Sequence, residues 1–454
     1  MSSSAPPHAA SITSRILPLA AALACGFAAA GQGLAPGVDL KVGNVSSATY
    51  WGQVSGIAAF SLGFSHCNGG AQTATFAAST PQHPIMVSSL HRLKDGRMEM
   101  IGMSWVLHGI CALENGECGT CSSVGNCNLG PGCATPSTGT AAGTQAALGP
   151  RSQVNAATGA FPYPFTAPAA PATIGRRLQV ALADVMPALN PGALYFVEVM
   201  DLSAQDAASG NAGNNATWRR VTFSPDGTQM SVTGPVSVSS PVLQAWHDHG
   251  LGLGAPDPGV QLSTVEVPGD GTLVVACRAA PLPRGGWSYE YAIQNVDSDR
   301  AVRGASIPRP LGAAISALGF HAPAYHSGEP YSAAPWTPVV DAAVVSWSCP
   351  PYSQDAQANA VRFGVVANVR FESDLPPAAR EMTLQLFKPG VPESVTVPVM
   401  APAWPADLDG NGTVDGADLG LLVGQWGAAG SADLDHDGVV GGGDLGILLG
   451  EWTG

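Results

Sequence analysis

The side chains whose types and spacing point to chemistry lie near the end of this chain. Asp407, Asp409, Asn411, Asp415 and Asp418 alternate through one short segment, with Gly412 between Asn411 and Thr413. Asp433, Asp435, Asp437 and Asp444 repeat the pattern, with Gly438 at the matching place. Counted from the first Asp of each copy, oxygen side chains stand at positions 1, 3, 5 and 12, and glycine at position 6. That is the spacing of a calcium loop. Ca²⁺ is a hard ion that takes about six to eight oxygens; alternate residues of a tight loop point inward at it, and glycine permits the turn. Position 7 offers a backbone carbonyl, which adds Thr413 and Val439 to the ligand sets. Position 9 is Asp415 in the first loop but Gly441 in the second. Water must replace that side chain, so two Ca²⁺ sites are expected with the second the weaker.

The loops need elements to hold them. Leu419, Leu422, Val423 and Trp426 follow the first, and Leu445, Leu448, Leu449 and Trp452 follow the second. The i, i+3, i+4, i+7 spacing is one face of a helix. Each unit is therefore a calcium loop followed by a helix, and two units can bury their apolar faces against each other. Twelve of the twenty positions from Asp407 to Trp426 recur from Asp433 to Trp452, which sets aside chance spacing in a solvated acidic tail.

This duplicated loop-helix unit resembles a type I dockerin, the calcium module of secreted polysaccharide-degrading systems. The resemblance covers about 407–452 and implies attachment to a cohesin-like or cell-surface protein, with polysaccharide as a further partner. In dockerins, loop positions 10 and 11 carry the side chains that read the cohesin. Here they are Gly416 and Ala417, then Gly442 and Gly443. The resemblance thus implies calcium while leaving cohesin docking without its usual reading side chains.

The rest of the chain carries little charge. Residues 401–454 hold eight Asp and Glu451 with no Lys or Arg, nine of the fourteen net negative charges. The remainder is mildly acidic, which argues against nucleic acid as a partner. Few charged residues with abundant Gly and Pro suit a turn-rich β protein. At the N-terminus, Arg15 precedes an apolar run from Ile16 to Ala24 and a small-residue stretch ending Ala28-Ala29-Ala30. This reads as a signal peptide, residues 1–30, with cleavage after Ala30. A lipoprotein acylated at Cys25 is the competing reading; Ala22 stands where such signals prefer Leu. The run is too short for a membrane span, no second span follows, and the protein is expected to be exported, to the extracellular space, cell surface or periplasm.

Eight cysteines remain beyond Cys25. Cys67, Cys111, Cys118, Cys121, Cys127 and Cys133 lie in the first half, Cys277 and Cys349 in the second. Even counts in an exported chain favour disulfides, with fifteen pairings open for the six and a Cys277–Cys349 bridge for the two. A zinc site of Cys118, Cys121, Cys127 and Cys133 is the alternative.

The expected fold is mainly β: a disulfide-rich β domain over 31–235, an antiparallel sandwich-like domain over 236–400, a linker at 401–405 and the calcium module at 406–454. Leu194, Phe196, Glu198 and Met200 alternate with Tyr195, Val197 and Val199, a strand apolar on both faces. The stretch 116–171 reads as loops pinned by disulfides. Trp287, Tyr289, Tyr291 and Ile293 alternate with Ser288, Glu290, Ala292 and Gln294, as in a half-buried strand. Val361 to Phe371 and Thr383 to Phe387 are further strand candidates, and the turn signals between them suggest a sandwich. Gln82-His83-Pro84, Leu148-Gly-Pro-Arg151, Phe161-Pro-Tyr-Pro164 and Tyr325-His326-Ser-Gly-Glu-Pro330 resemble a group of exported bacterial proteins that also carry dockerin-like tails. That group has no assigned activity, so the likeness implies architecture alone.

Motifs for catalysis are sparse. No G-x-S-x-G elbow, P-loop, H-E-x-x-H or dinucleotide fingerprint occurs. His247-Asp248-His249 would set two imidazoles on one side of an extended segment, and His83, His91, His108, Met103 and Cys111 are ligand types that suit copper. Glu198, among apolar neighbours, is the carboxylate whose pKa burial would raise, as a glycosidase acid requires; the structural alternative pairs it with Arg176 or Arg177. Trp287, Tyr289, Trp336 and Trp347 would form a sugar-stacking platform if exposed, or core if not. The leading expectation is an exported, calcium-binding, non-catalytic β protein of a surface or matrix; the second is a secreted polysaccharide-degrading O-glycosyl hydrolase carrying a dockerin.

Overall fold

Strand Leu194–Leu202 sets the pattern of the first half. Its side chains alternate, and Tyr195 through Leu202 are all buried. Tyr195, Val197 and Val199 enter one core with Phe60, Phe64 and Leu90. Phe196 and Met200 enter another with Met98, Met100 and Trp218. The two-sided apolar reading of this segment is what a strand sandwiched between two cores requires.

The computed structural model describes residues 34–77, 80–108, 110–146 and 148–454; the expected leader and Cys25 lie outside them. The first half is built on an antiparallel sheet of eleven strands, with a separate two-stranded pair of Ala74–Thr75 and Asn128–Leu129. Its main path runs Leu40–Val54, Ile57–Asn68, Leu178–Ala181, Arg97–Met103, Ile85–Lys94, Leu194–Leu202, Ala216–Phe223, Met230–Ser237. The sheet curls: Thr217 Oγ1 donates to Val42 O at 2.6 Å and Arg219 Nη1 to Val45 O at 2.7 Å, which brings a late strand back to the first.

Between Cys111 and Cys133 regular structure gives way to cross-links. Cys67–Cys118, Cys111–Cys127 and Cys121–Cys133 are disulfides. All four cysteines of the zinc alternative are consumed in these pairs. Glu114 staples the same loop by accepting from the amides of Val124, Gly125 and Gly130. The second half does not follow the expectation of a bridge, since Cys277 and Cys349 are free and buried. Cys277 sits on strand Thr272–Pro281 of one sheet, whereas Cys349 follows strand Val344–Ser348 of the other.

Those two sheets have five strands each and make the expected sandwich. One runs Val260–Glu266, Thr272–Pro281, Trp287–Asn295, Val366–Ser373, Ile315–His321; the other runs Thr337–Val340, Val344–Ser348, Val302–Pro308, Pro377–Leu386, Ser394–Pro402. Strand Trp287–Asn295 departs from its half-buried pattern, being buried on both faces from Tyr289 onward. Its polar face meets the first half rather than water. Arg97 Nε donates to Glu290 at 2.7 Å, and Gln294 Nε2 donates to both oxygens of Glu198 at 2.7 and 2.9 Å. One apolar cluster accordingly runs from Met98, Phe196 and Trp218 into both sheets of the sandwich, and 34–454 form one compact unit.

The boundary expected near 235 falls inside strand Met230–Ser237. Ala401 and Pro402, expected in the linker, extend strand Ser394–Pro402 by pairing with Ala378 and Pro377. The connection to the tail is therefore Ala403–Pro405, with Ala403 buried and its amide bonded to Pro376 O. No described helix is long and apolar enough to cross a membrane.

Candidate metal centre

Each acidic loop closes through its last aspartate. Asp418 Oδ1 accepts from the amides of Leu408 and Asp409 at 2.7 and 3.1 Å, and Oδ2 from Asp415 N at 2.9 Å. Asp444 repeats this with Leu434 and Asp435 at 2.6 and 3.1 Å and with Gly441 at 2.6 Å. The last carboxylate thus folds back over the loop start. Gly412 and Gly438, at φ +90° and +98°, make the turn that a side chain would strain. Helices Gly416–Gly424 and Gly442–Gly450 follow. Asp415 caps the first by accepting from Ala417 N at 2.7 Å.

Inside the first loop, ligand oxygens of Asp407, Asp409 and Asp418 lie within 4.8 Å of one another. Asp407 Oδ2 accepts from Gly412 N at 3.1 Å, whereas its Oδ1 is buried and has no partner. A buried carboxylate oxygen without a donor is costly, and a cation is the group that would satisfy it. The Asn411 oxygen accepts from Thr413 N at 2.8 Å, and Asp415 lies half-buried beside them. In the second loop Asp433, Asp435 and Asp437 form the group within 4.8 Å. There Asp433 accepts from the amides of Asp437 and Gly438, and Val439 N donates to Asp437 at 2.9 Å. Every donor in both sets is a hard oxygen, which fits Ca²⁺ and suits no soft metal.

The two units clasp each other. Val440 exchanges bonds with Gly427 and Ala428 after the first helix, and Val414 bonds Thr453 after the second. Val414, Val440, Leu422 and Leu448 are fully buried, flanked by half-buried Leu419 and Leu445. The rest of the expected apolar seam is outside it. Val423, Trp426, Leu449 and Trp452 are exposed, Trp426 by 51% and Trp452 by 40%. Helices that end at Gly424 and Gly450 leave both tryptophans beyond the last turn, and two short helices cover only a narrow strip.

Spacing alone missed one residue that contacts the first loop. Arg380, from strand Pro377–Leu386 of the sandwich, donates through Nη2 to Asp407 Oδ2 at 2.7 Å. Nothing in the spacing of the tail announces a contact made across 27 residues.

The body candidates disperse. His247 and His249 lie on helix Leu243–His249 rather than an extended segment; His247 bonds Asp248 and His249 stacks on Phe196, so they do not share a site. His83 and His108 are ring neighbours, 5.0 Å between centroids, yet both bond main-chain carbonyls, and Cys111 is in a disulfide. His91 stands apart, 3.0 Å from Ser89 Oγ. Tyr289, Trp336 and Trp347 are core residues, which removes the stacking platform; Trp287 is half-buried.

Glu198 is buried as expected but not partnered as expected. Arg176 and Arg177 bond main-chain carbonyls elsewhere. Glu198 accepts from Val242 N and Gln294, with the His91 ring 3.8 Å away. Burial pushes its carboxyl up to about 7, against the pull of these donors and of Arg151. Burial also pushes His91 down to about 3, so both groups are neutral over much of the range between and form no ion pair there. A carboxyl sealed this completely meets no substrate.

No family model matches this chain, and no curated protein matches it.

Proposed function

We propose that the protein is an exported calcium-binding protein whose tail is a dockerin-like attachment module and whose β body is a non-catalytic surface, matrix or glycan-associated unit. The observation that carries the calcium reading is the buried, partnerless Oδ1 of Asp407, on a residue whose carboxylate lies within 4.8 Å of those of Asp409 and Asp418. The ligands are Asp407, Asp409, Asn411, Thr413, Asp415 and Asp418 in the first site. In the second they are Asp433, Asp435, Asp437, Val439 and Asp444, with water at the position of Gly441. When bound, the ion supplies charge compensation to carboxylates that otherwise repel. Exposed Leu421, Val423, Trp426, Leu449 and Trp452 supply the apolar surface for a protein partner, in place of the small residues at positions 10 and 11. Three disulfides suit an oxidising compartment.

Calorimetric titration of the full chain is expected to register two Ca²⁺ equivalents, with the weaker lost in Asp435→Ala and the tighter in Asp409→Ala. Absence of binding at millimolar Ca²⁺ overturns the reading. For the body, the measurement is a glycan array run beside reducing-sugar release from mixed polysaccharides. Glycan binding without sugar release is expected; release would move the protein to the polysaccharide-degrading class.

A further inference from the structure

The two loops differ in one respect that their sequences do not contain. Asp407, the first ligand position of loop one, has a fully buried side chain shared with the body: Oδ2 takes Gly412 N at 3.1 Å and Arg380 Nη2 at 2.7 Å, while Oδ1 is buried without a hydrogen-bond partner. Asp433, its counterpart, accepts from Asp437 N and Gly438 N. No Lys or Arg lies in 401–454 that could serve it from within the tail.

Loop one carries four carboxylates, Asp407, Asp409, Asp415 and Asp418, against one guanidinium. Loop two carries four, Asp433, Asp435, Asp437 and Asp444, and its described ion pairs include no arginine or lysine. Arg380 is 16% exposed and itself fixed, since Nη1 also donates to Ala379 O at 3.0 Å. Around it the connection is short and held: Trp404 Nε1 donates to Leu311 O at 3.3 Å, and Ala406 N to Glu451 at 2.9 Å.

We propose that Arg380 is a built-in cation for loop one, a latch that holds the tail on the sandwich without Ca²⁺ and weakens Ca²⁺ binding at that loop alone. The proposal rests on the calcium reading above. The physical reason is charge. A cation one carboxylate away from the ion opposes it, and removing that repulsion is worth on the order of tenfold in affinity at low ionic strength, less as salt screens it. Part of the ion's work, cancelling repulsion among ligands, is already done at loop one by Arg380. By reciprocity, whatever Arg380 costs the ion, the ion costs the latch.

The test isolates each loop in the full chain. In Asp435→Ala protein, where loop one is the intact site, Arg380→Ala is expected to tighten Ca²⁺ binding by on the order of tenfold at low salt. The gain should shrink at high salt. Arg380→Lys, which keeps the charge, is expected to stay near the parent. In Asp409→Ala protein, where loop two is the intact site, Arg380→Ala is expected to change nothing. Without Ca²⁺, Arg380→Ala should also speed protease cleavage near 403–405 several-fold. Unchanged or weaker binding at loop one, or an equal change at both loops, overturns the latch. If neither parent binds Ca²⁺, the calcium reading fails, and the cleavage assay still decides whether Arg380 holds the tail.

Discussion

Glu198 and its neighbours show what a single residue contributes when it is sealed off. Its carboxyl has a folded value near 7 against an ordinary 4.5, because burial penalises the charge more than Val242, Gln294 and Arg151 relieve it. As pH rises from about 4.5 to about 7 the unfolded chain gains the free energy of ionisation and the folded chain does not. Stability is therefore lost through that window and is flat above it. Glu198→Gln removes the effect. Relative to the parent, it is expected to gain up to about 3 kcal/mol between pH 4.5 and pH 8, read by chemical denaturation at both pH values. A pH-independent difference would mean that Glu198 is ionised in the folded protein. Sequence spacing places Glu198 on a buried strand face but not its partners, since Val242 and Gln294 lie 44 and 96 residues away.

At the scale of elements, the tail is held by very little apolar matter. Leu422 and Leu448 are the helix residues fully inside it, packed with Val414 and Val440 from the loops. Leu422→Ala or Leu448→Ala is expected to cost the module about 2–5 kcal/mol. Hydrogen exchange should show 406–454 exchanging faster, with no change in strand Leu194–Leu202. The helical period locates Leu422 and Leu448 correctly and overestimates the seam, because period alone does not say where a helix ends. Strand Trp287–Asn295 shows a related shortfall. Its alternation of aromatic and polar residues marks a strand, yet Glu290 and Gln294 face protein. A polar residue that meets a complementary partner across an interface is indistinguishable in sequence from one that meets water.

At the scale of the molecule, the first half is cross-linked and the sandwich is not. Cys277 and Cys349 are buried, and burial pushes the Cys349 thiol up to about 11 and the Cys277 thiol above its usual range. Both are poor thiolates in the folded state. In the chain without its leader, a thiol reagent is expected to find two thiols after denaturation without reductant and almost none before. Zero after denaturation would restore a Cys277–Cys349 bridge; eight would remove the three disulfides. The two halves are joined by one apolar cluster and by pairs such as Arg97–Glu290, so this difference in cross-linking need not make them unfold separately.

The sequence by itself determined the mainly β class, the strand apolar on both faces, the cysteine-pinned loops and the paired loop-helix units of the tail. These are local matters: alternation, helical period, turn glycines and ligand spacing act within a few residues, where chain geometry is nearly fixed. Only the tertiary structure decided which cysteines pair, that the polar face of strand Trp287–Asn295 is an interface, who holds Glu198, and that Arg380 reaches Asp407. Each of those joins groups far apart in the chain, and their proximity is set by how whole sheets pack. A spacing rule sees neighbours along the chain; charge and burial respond to neighbours in space.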